Sequence, residues 1–458
     1  MYKLFFRTLS AVILLVGAFI VLSGCEEKKE NPKPFMSPTQ ETTYENVNEK
    51  VARVVAKNFI SFMDERFVSA KVVKVQPITG LDGQIEMYAV NFDPKGYVIT
   101  SADIRNEPIF GFSTENNLPE ISFNDISPET EGFLSLLHMS MSFNKWLRDE
   151  GENDKGAPSL IVSNANDWKD LSRDENNFVL LRVDYIREKL KDKICFQVGS
   201  CEGYTHKKDS IVDDTGILLS TRWGQRKPYN CYTPKNYPVG CVAVAMGQIM
   251  RYHRHPQYIN WDIMPDSNSY ADTIPCDSMT SGYHEMARLL ADIGHNIYTL
   301  YGSDGSTSLV CWARKSLVED YGYSGDADIE FFDFNRMIRQ LRDRRLPLYY
   351  SATTTSDFWG LPSLKDGHAF VIDGYKQNAR VYTKYEENGP TCSPRKKLVC
   401  IKRKEAFIHV NFGWYGSADG WYEAYWMQLE NGKSEPHICW PKGDEYNRMI
   451  MCIYDIHP

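Results

Sequence analysis

The sequence predicts an α+β fold in which a helical lobe and an antiparallel-sheet lobe face one cleft, preceded by a smaller α+β domain. Three observations carry this prediction. The run from Val242 to Met250 is apolar on nearly every face, opens at Cys241 after Pro238-Val239-Gly240, and closes on His253-Arg254-His255-Pro256. This is a buried helix with its start and stop signals in place. Two short apolar runs, Ala369 to Ile372 and Ala406 to Val410, read as buried strands. Upstream, the strand-like runs MYAVNF and GYVITSA flank Asp93-Pro94-Lys95-Gly96, a hairpin pattern.

From the amino terminus, Lys3 and Arg7 precede an apolar stretch from Leu9 to Leu22. At about 15 residues it suits a signal h-region and is short of the about 20 that a spanning helix needs. It ends in LSGC, a lipobox-like sequence in which Cys25 becomes the lipidated first residue after cleavage, so residues 1–24 are expected to be a lipoprotein signal peptide. Residues 25–43 are polar, proline-bearing and without an apolar period, as expected of a tether. The domain at 44–150 should open with an amphipathic helix near Val51 to Asp64, where Val51, Val54, Val55, Phe59, Ile60 and Met63 recur at helical spacing. The two hairpin strands follow, and NEPIFGFS reads as another strand. Residues 151–214 are rich in Asp, Asn, Lys and Ser and are expected to link the domains, with one strand possible at Phe178 to Tyr185.

The chemistry concentrates in 215–458. A cysteine at the first position of a helix meets amide N–H groups without intrahelical partners and the positive end of the macrodipole, so Cys241 is placed to ionise and react. Antiparallel pairing of the two apolar runs with His368 opposite Asn411 also sets Asp373 opposite Ala406, and would make His368 and Asn411 neighbours. A Cys-His-Asn arrangement follows, in which the imidazole takes the thiol proton and the amide orients the ring. Gln225 lies on a loop between Gly224 and Pro228, close enough in sequence to fold back over the helix start. There it is a candidate oxyanion donor beside the Cys241 amide.

The runs WGQRKPYN, GCVAVAMGQIMRYHRHP, GHAFVIDG and HVNFGWYGSADGW together resemble the streptopain peptidases, papain-like cysteine endopeptidases made as secreted zymogens. The resemblance spans the chain from about Leu218 onward and, more loosely, the region upstream. It implies a papain-like two-lobe fold with Cys241 as nucleophile, His368 as general base and acid, Gln225 as oxyanion donor and Asn411 as the residue orienting His368. Trp414 matches a tryptophan that shields the His-Asn contact from water. Phe412 departs from the family's usual Trp. The resemblance also implies that 44–150 is a pro-domain acting as an intramolecular inhibitor, with activation cleavage between about Lys189 and Asp214. A permanent accessory domain is the alternative. The expected substrates are proteins or peptides with a hydrophobic residue two positions before the scissile bond. The stretch 374–405, with Lys376, Lys384, Arg395, Lys396 and Lys397 around Cys392 and Cys400, reads as an inserted flap or as a solvated basic loop.

Composition narrows the remaining classes. With 458 residues, of which 42% are hydrophobic and 13% aromatic, there is material for two cored domains. A net charge of −8 without a basic stripe argues against nucleic-acid binding. Setting aside Cys25 and Cys241 leaves nine of the 11 cysteines, so they cannot all pair; Cys392 with Cys400 and Cys195 with Cys201 are candidate disulfides. His284-Glu285 lacks the second histidine of a zinc-peptidase motif because position 288 is Arg, and neither metal nor organic cofactor is expected. Export with lipid anchoring to a bacterial membrane, at the outer membrane or cell surface, is the expected location. A non-catalytic surface lipoprotein that binds proteins, and a Cys-His amidase or acyl transferase, are the alternatives to a peptidase.

Overall fold

Helix α1 (Glu49–Met63) forms because the Asn48 side chain accepts the Val51 N–H at 3.1 Å, while Val51, Ala52, Val55, Ala56, Phe59 and Ile60 bury one face. It lies on an antiparallel meander of β1 (Lys71–Thr79), β2 (Ile85–Asp93), β3 (Tyr97–Ser101) and β4 (Ile109–Ser113). Asp93 to Gly96 turn β2 into β3 as the sequence predicts, with Gly96 at φ +103°. Then come α2 (Pro128–Asp149), α3 (Ala157–Leu171), α4 (Asp184–Leu190) and β5 (Thr205–Asp214). The helical lobe contains α5 (Cys241–His253), α6 (Ser281–Asn296) and α7 (Val310–Glu319). It is followed by β6 (Asp328–Phe331), α8 (Phe334–Asp343), β7 (Leu348–Thr354), β8 (His368–Tyr385), β9 (Lys397–Asn411), β10 (Gly420–Glu423) and β11 (Arg448–Tyr454). The computed structural model describes residues 46–80, 83–121, 128–153, 157–176, 178–181, 183–190, 205–267, 274–354, 367–385, 397–424 and 448–458. The expected signal peptide (1–24) and tether (25–43), with Cys25, lie outside these.

One sheet runs through the molecule in the order β1-β2-β3-β4-β10-β9-β8-β7-β11-β6, with β5 paired to the far half of β8. The amino-terminal meander therefore joins the later lobe by strand addition: Phe112 and Gly111 of β4 pair with Trp421 and Tyr422 of β10. Alternation along β7 and β8 divides the core between the two faces of the sheet. Tyr349, Ala369 and Val371 pack with α5, α6 and α7, whereas Leu348, Tyr350, Phe370 and Ile372 pack on the side of the amino-terminal helices.

Two expectations need correcting. Phe178 to Tyr185 is not a strand: Asp174 and the Ser172 carbonyl accept the Phe178 and Leu180 N–H groups in a local turn, and Asp184 already begins α4. The segment 151–214, expected as a linker, holds two helices and a sheet strand. Most of 374–405 extends the β8–β9 hairpin. Of the candidate disulfides, Cys195, Cys201 and Cys392 lie outside the described residues. Among the described residues a bridge joins Cys231 to Cys276 across 45 residues, a separation that no local spacing signals. Replacing both of these cysteines by serine is expected to lower stability by about 2–4 kcal/mol, read as a fall in the denaturant midpoint under non-reducing conditions.

Candidate active site

Cys241 occupies the first turn of α5, half-buried and outside any disulfide. Gly240 precedes it at φ +95°, a conformation that side chains with a Cβ rarely adopt. The orphan N–H groups and the macrodipole favour a thiolate there. The fully buried Tyr349 phenol is close by: burial first, then the Cys241 charge, push it well above its ordinary range.

The Gln225 loop folds back onto this helix start, since the Gln225 carbonyl accepts the Val239 N–H at 2.8 Å, two residues before Cys241. Gln225 itself is buried. Tyr415 clamps the loop: its N–H donates to the Trp223 carbonyl at 3.0 Å and its hydroxyl accepts the Arg226 N–H at 2.9 Å. A Cβ on Gly224 would lie 2.6 Å from Cε2 of the same ring. Tyr415 was not among the residues singled out from sequence, although it stands in the same motif as Asn411 and Trp414.

The expected register of the two active-site strands is wrong. Asn411 pairs with Val371, not His368, and Gln377, not Asp373, pairs with Ala406; His368 stands opposite Ala352 of β7. Both runs are buried on both faces, so their apolar pattern does not distinguish one register from another. The slip is an odd number of residues, which changes the face. Asn411 shares the α5 face with Val371, while His368 has the parity of Phe370 and Ile372 on the opposite face.

On that face His368 is enclosed. Its Nε2 lies 3.2 Å from the Phe412 carbonyl, and the Phe370 ring is 6.2 Å away. Gly132 of α2 sits directly on the imidazole, so that a Cβ at this position would fall 2.5 Å from Nε2. Phe133 continues the cover with an edge contact to Phe412, ring centroids 6.2 Å apart. Burial, only partly offset by the Phe412 carbonyl, lowers the His368 pKa to about 4. At neutral pH the ring is uncharged, and the imidazolium of a thiolate–imidazolium pair is not formed in this state.

Asn411 is held on the α5 side. Its Nδ2 donates to the Thr221 carbonyl at 2.7 Å, and its Oδ1 accepts from Gln248 Nε2 and the Gly413 N–H, both at 3.0 Å. The Phe412 N–H donates to Asp419 Oδ1 at 2.8 Å. Asp419 is buried, and desolvation raises its pKa to about 7. Trp414 is buried in the core beside Phe412, with its indole N–H unpaired. The sequence analysis did not single out Gly132, Gln248 or Asp419. Gln248 carried a usable signal, a polar side chain in a helix otherwise apolar all round.

Comparison with known proteins shows what the chain is similar to. Residues 223–422 match the model of the Peptidase C10 family, and 44–141 match that of the Spi protease inhibitor. Streptopain of Streptococcus pyogenes is 23% identical over 425 residues, covering 82% of this chain and 84% of streptopain. The thiol protease/hemagglutinin PrtT of Porphyromonas gingivalis is 22% identical over 228 residues, 43% of this chain and 22% of that protein. A solved fragment of Prevotella intermedia prointerpain A has 17% identity and a TM-score of 0.49, covering 84% of this chain and 99% of the fragment.

Two outcomes are expected from the His368 enclosure. Gly132→Ala should force α2 away from the imidazole, destabilising the full chain by about 1–3 kcal/mol and speeding its conversion to the active form, as followed by thermal unfolding and by gel time course. Acid should loosen the same contact. The His368 pKa is lower in the docked state (about 4) than when exposed (6.5), so docking is strongest above 6.5 and weakens as pH falls towards 4. Asp419, raised to about 7, acts in the opposite sense. Amide exchange of α2 in a Cys241→Ala background, corrected for intrinsic rates, should therefore accelerate between pH 7 and 4 relative to the same chain carrying His368→Gln, in which only the opposing Asp419 effect remains.

Proposed function

We propose, from the premise that the chain belongs to the peptidase C10 family and is a cysteine-type peptidase, that Cys241 is its nucleophile and His368 its general base and acid. The chain carries its own inhibitor-like domain at 44–141 and is a peptidase zymogen. The described state is the latent one. The observation that carries the reading is Cys241 on the first turn of a buried helix with the Gln225 loop hydrogen-bonded to the residues just before it.

Activation requires α2 to leave the imidazole. His368 then turns to the α5 side, takes the Cys241 proton and forms the ion pair. The sulfur attacks a peptide carbonyl, and the oxyanion is met by the Cys241 N–H and the Gln225 amide. His368 gives its proton to the leaving amine, leaving a thioester. It then takes a proton from water, whose oxygen attacks the thioester carbonyl, and the carboxylic acid departs as the thiolate is restored. Asn411 orients the imidazole through its amide oxygen, and Trp414 keeps water from that contact. The substrates are extended segments of proteins, with a hydrophobic side chain two positions before the scissile bond. Domain limits at 44–150 and 215–458, with cleavage between about Lys189 and Asp214, complete the reading. Export through the segment 1–24 and lipid attachment at Cys25 would place the enzyme at a bacterial membrane surface.

Cys241→Ala should abolish hydrolysis of an unmodified protein and any self-processing, a loss of about 10⁴-fold or more. Full activity in the alanine variant, after trimming by an added protease, would overturn the assignment.

A further inference from the structure

Gln225 stands on a loop, and a loop places a side chain only as precisely as its own backbone is held. Here one residue grips the backbone on both sides of the dipeptide Gly224-Gln225. The Tyr415 N–H donates to the Trp223 carbonyl at 3.0 Å, which secures the peptide before Gly224. The Tyr415 hydroxyl accepts the Arg226 N–H at 2.9 Å, which secures the peptide after Gln225, and donates to the Lys227 carbonyl at 3.3 Å. A phenol oxygen can do both because it carries one proton and acceptor lone pairs. The carbonyl of the same Gln225-Arg226 peptide accepts the Val239 N–H at 2.8 Å. That peptide plane is therefore fixed at its oxygen by the chain leading to Cys241, and at its nitrogen by Tyr415.

The ring completes the grip. A Cβ on Gly224 would collide with it, so the half-buried phenol lies directly on the backbone just before Gln225. The fully buried Tyr229 ring is its neighbour, with centroids 5.4 Å apart, and the Tyr229 N–H donates to the Arg226 carbonyl at 2.8 Å. Tyr415 reaches this place in a disfavoured backbone conformation. It sits at φ +59° in a turn where Gly413 and Gly416 are left-handed too, at +73° and +81°, and a bulky side chain is uncommon in that region. Strain of this kind persists where the surrounding contacts hold it, and it gathers at functional sites.

We propose that Tyr415 is a positioning residue for the reaction, holding the Gln225 loop so that the Gln225 amide and the Cys241 N–H meet the oxyanion together. This rests on the reading of Gln225 as the oxyanion donor. A donor fixed in advance needs no reorganisation when charge develops on the carbonyl oxygen. Without the hydroxyl, the Arg226 N–H loses its acceptor and the loop can drift. The loss then falls on the transition state, where the charge is, and leaves binding of the uncharged peptide nearly unchanged. All the groups in this grip lie between Trp223 and Tyr415, so it does not depend on the amino-terminal domain.

The test compares the full chain, trimmed to its active form by an added protease, as wild type, Tyr415→Phe, Tyr415→Gly, Gln225→Ala and the Tyr415→Phe/Gln225→Ala double variant. A fluorogenic peptide with a hydrophobic residue two positions before the scissile bond gives kcat and KM. A peptide aldehyde of the same sequence, across whose C=O the Cys241 S–H adds, reads the oxyanion site. Iodoacetamide alkylation of Cys241 forms no oxyanion and reads the nucleophile alone. Tyr415→Phe is expected to lower kcat about tenfold with KM within about twofold, and to weaken aldehyde binding by the same factor, while the alkylation rate stays within about twofold. Gln225→Ala should lower kcat about 10²-fold, and adding Tyr415→Phe to it should cost nothing further, because both changes remove one interaction. Tyr415→Gly suits the backbone at φ +59° and removes ring and hydroxyl together, so it should show the same pattern and decides the matter where the phenylalanine variant does not fold. An equal loss with and without Gln225, or a fall in alkylation matching that in kcat, would show a structural role only and overturn the proposal. A cost in Gln225→Ala with none in either Tyr415 variant would overturn it while sparing the reading of Gln225. No cost in Gln225→Ala would overturn both.

Discussion

The contact between Gly132 and the His368 imidazole is the constraint from which the behaviour of the molecule follows. Only a residue without a Cβ lets α2 approach the ring so closely. That approach strips the imidazole of water and keeps it uncharged at neutral pH. Catalysis by a thiolate needs the opposite, a ring that carries charge and faces the α5 side of the sheet. With His368 as the proposed general base, its burial under α2 holds the docked segment and withholds the reaction by one and the same interaction.

The sheet supplies the framework for that contact. Because β4 adds to β10, the amino-terminal domain is continuous with the strands on which His368 and Asn411 stand. Tyr97 and Tyr422 meet across this junction at 2.7 Å, and the Asn116 side chain donates to the Asp419 carbonyl at 2.9 Å. Asp419 in turn accepts the Phe412 N–H, and the Phe412 carbonyl faces His368. A short chain of hydrogen bonds runs from the docking strand to the imidazole, so release of the strand and release of the ring are expected to be coupled.

What could be read before the structure, and what could not, divides along physical lines. The α5 helix was legible because its caps, its all-round apolar surface and Gly240 agree with one another, and α1 because its period is clean. The Asp93 to Gly96 hairpin was legible from turn chemistry. The β8–β9 register was not, since strands buried on both faces lose the alternation that specifies pairing, and the bulges after Ile372 and Gln377 shift the count. Gly132 was invisible for a different reason: its importance lies in a neighbour more than 200 positions away, and a glycine within a helix ordinarily signals weakness. The strand β5 depends on β8 as its partner and has little apolar pattern of its own.

The most direct test of this account is an NMR titration of the His368 imidazole in the Cys241→Ala chain, before and after removal of the amino-terminal domain by an added protease. The account predicts a pKa near 4 in the intact chain, rising towards the ordinary histidine value of about 6.5 once α2 is gone. The same pKa in both forms would contradict it.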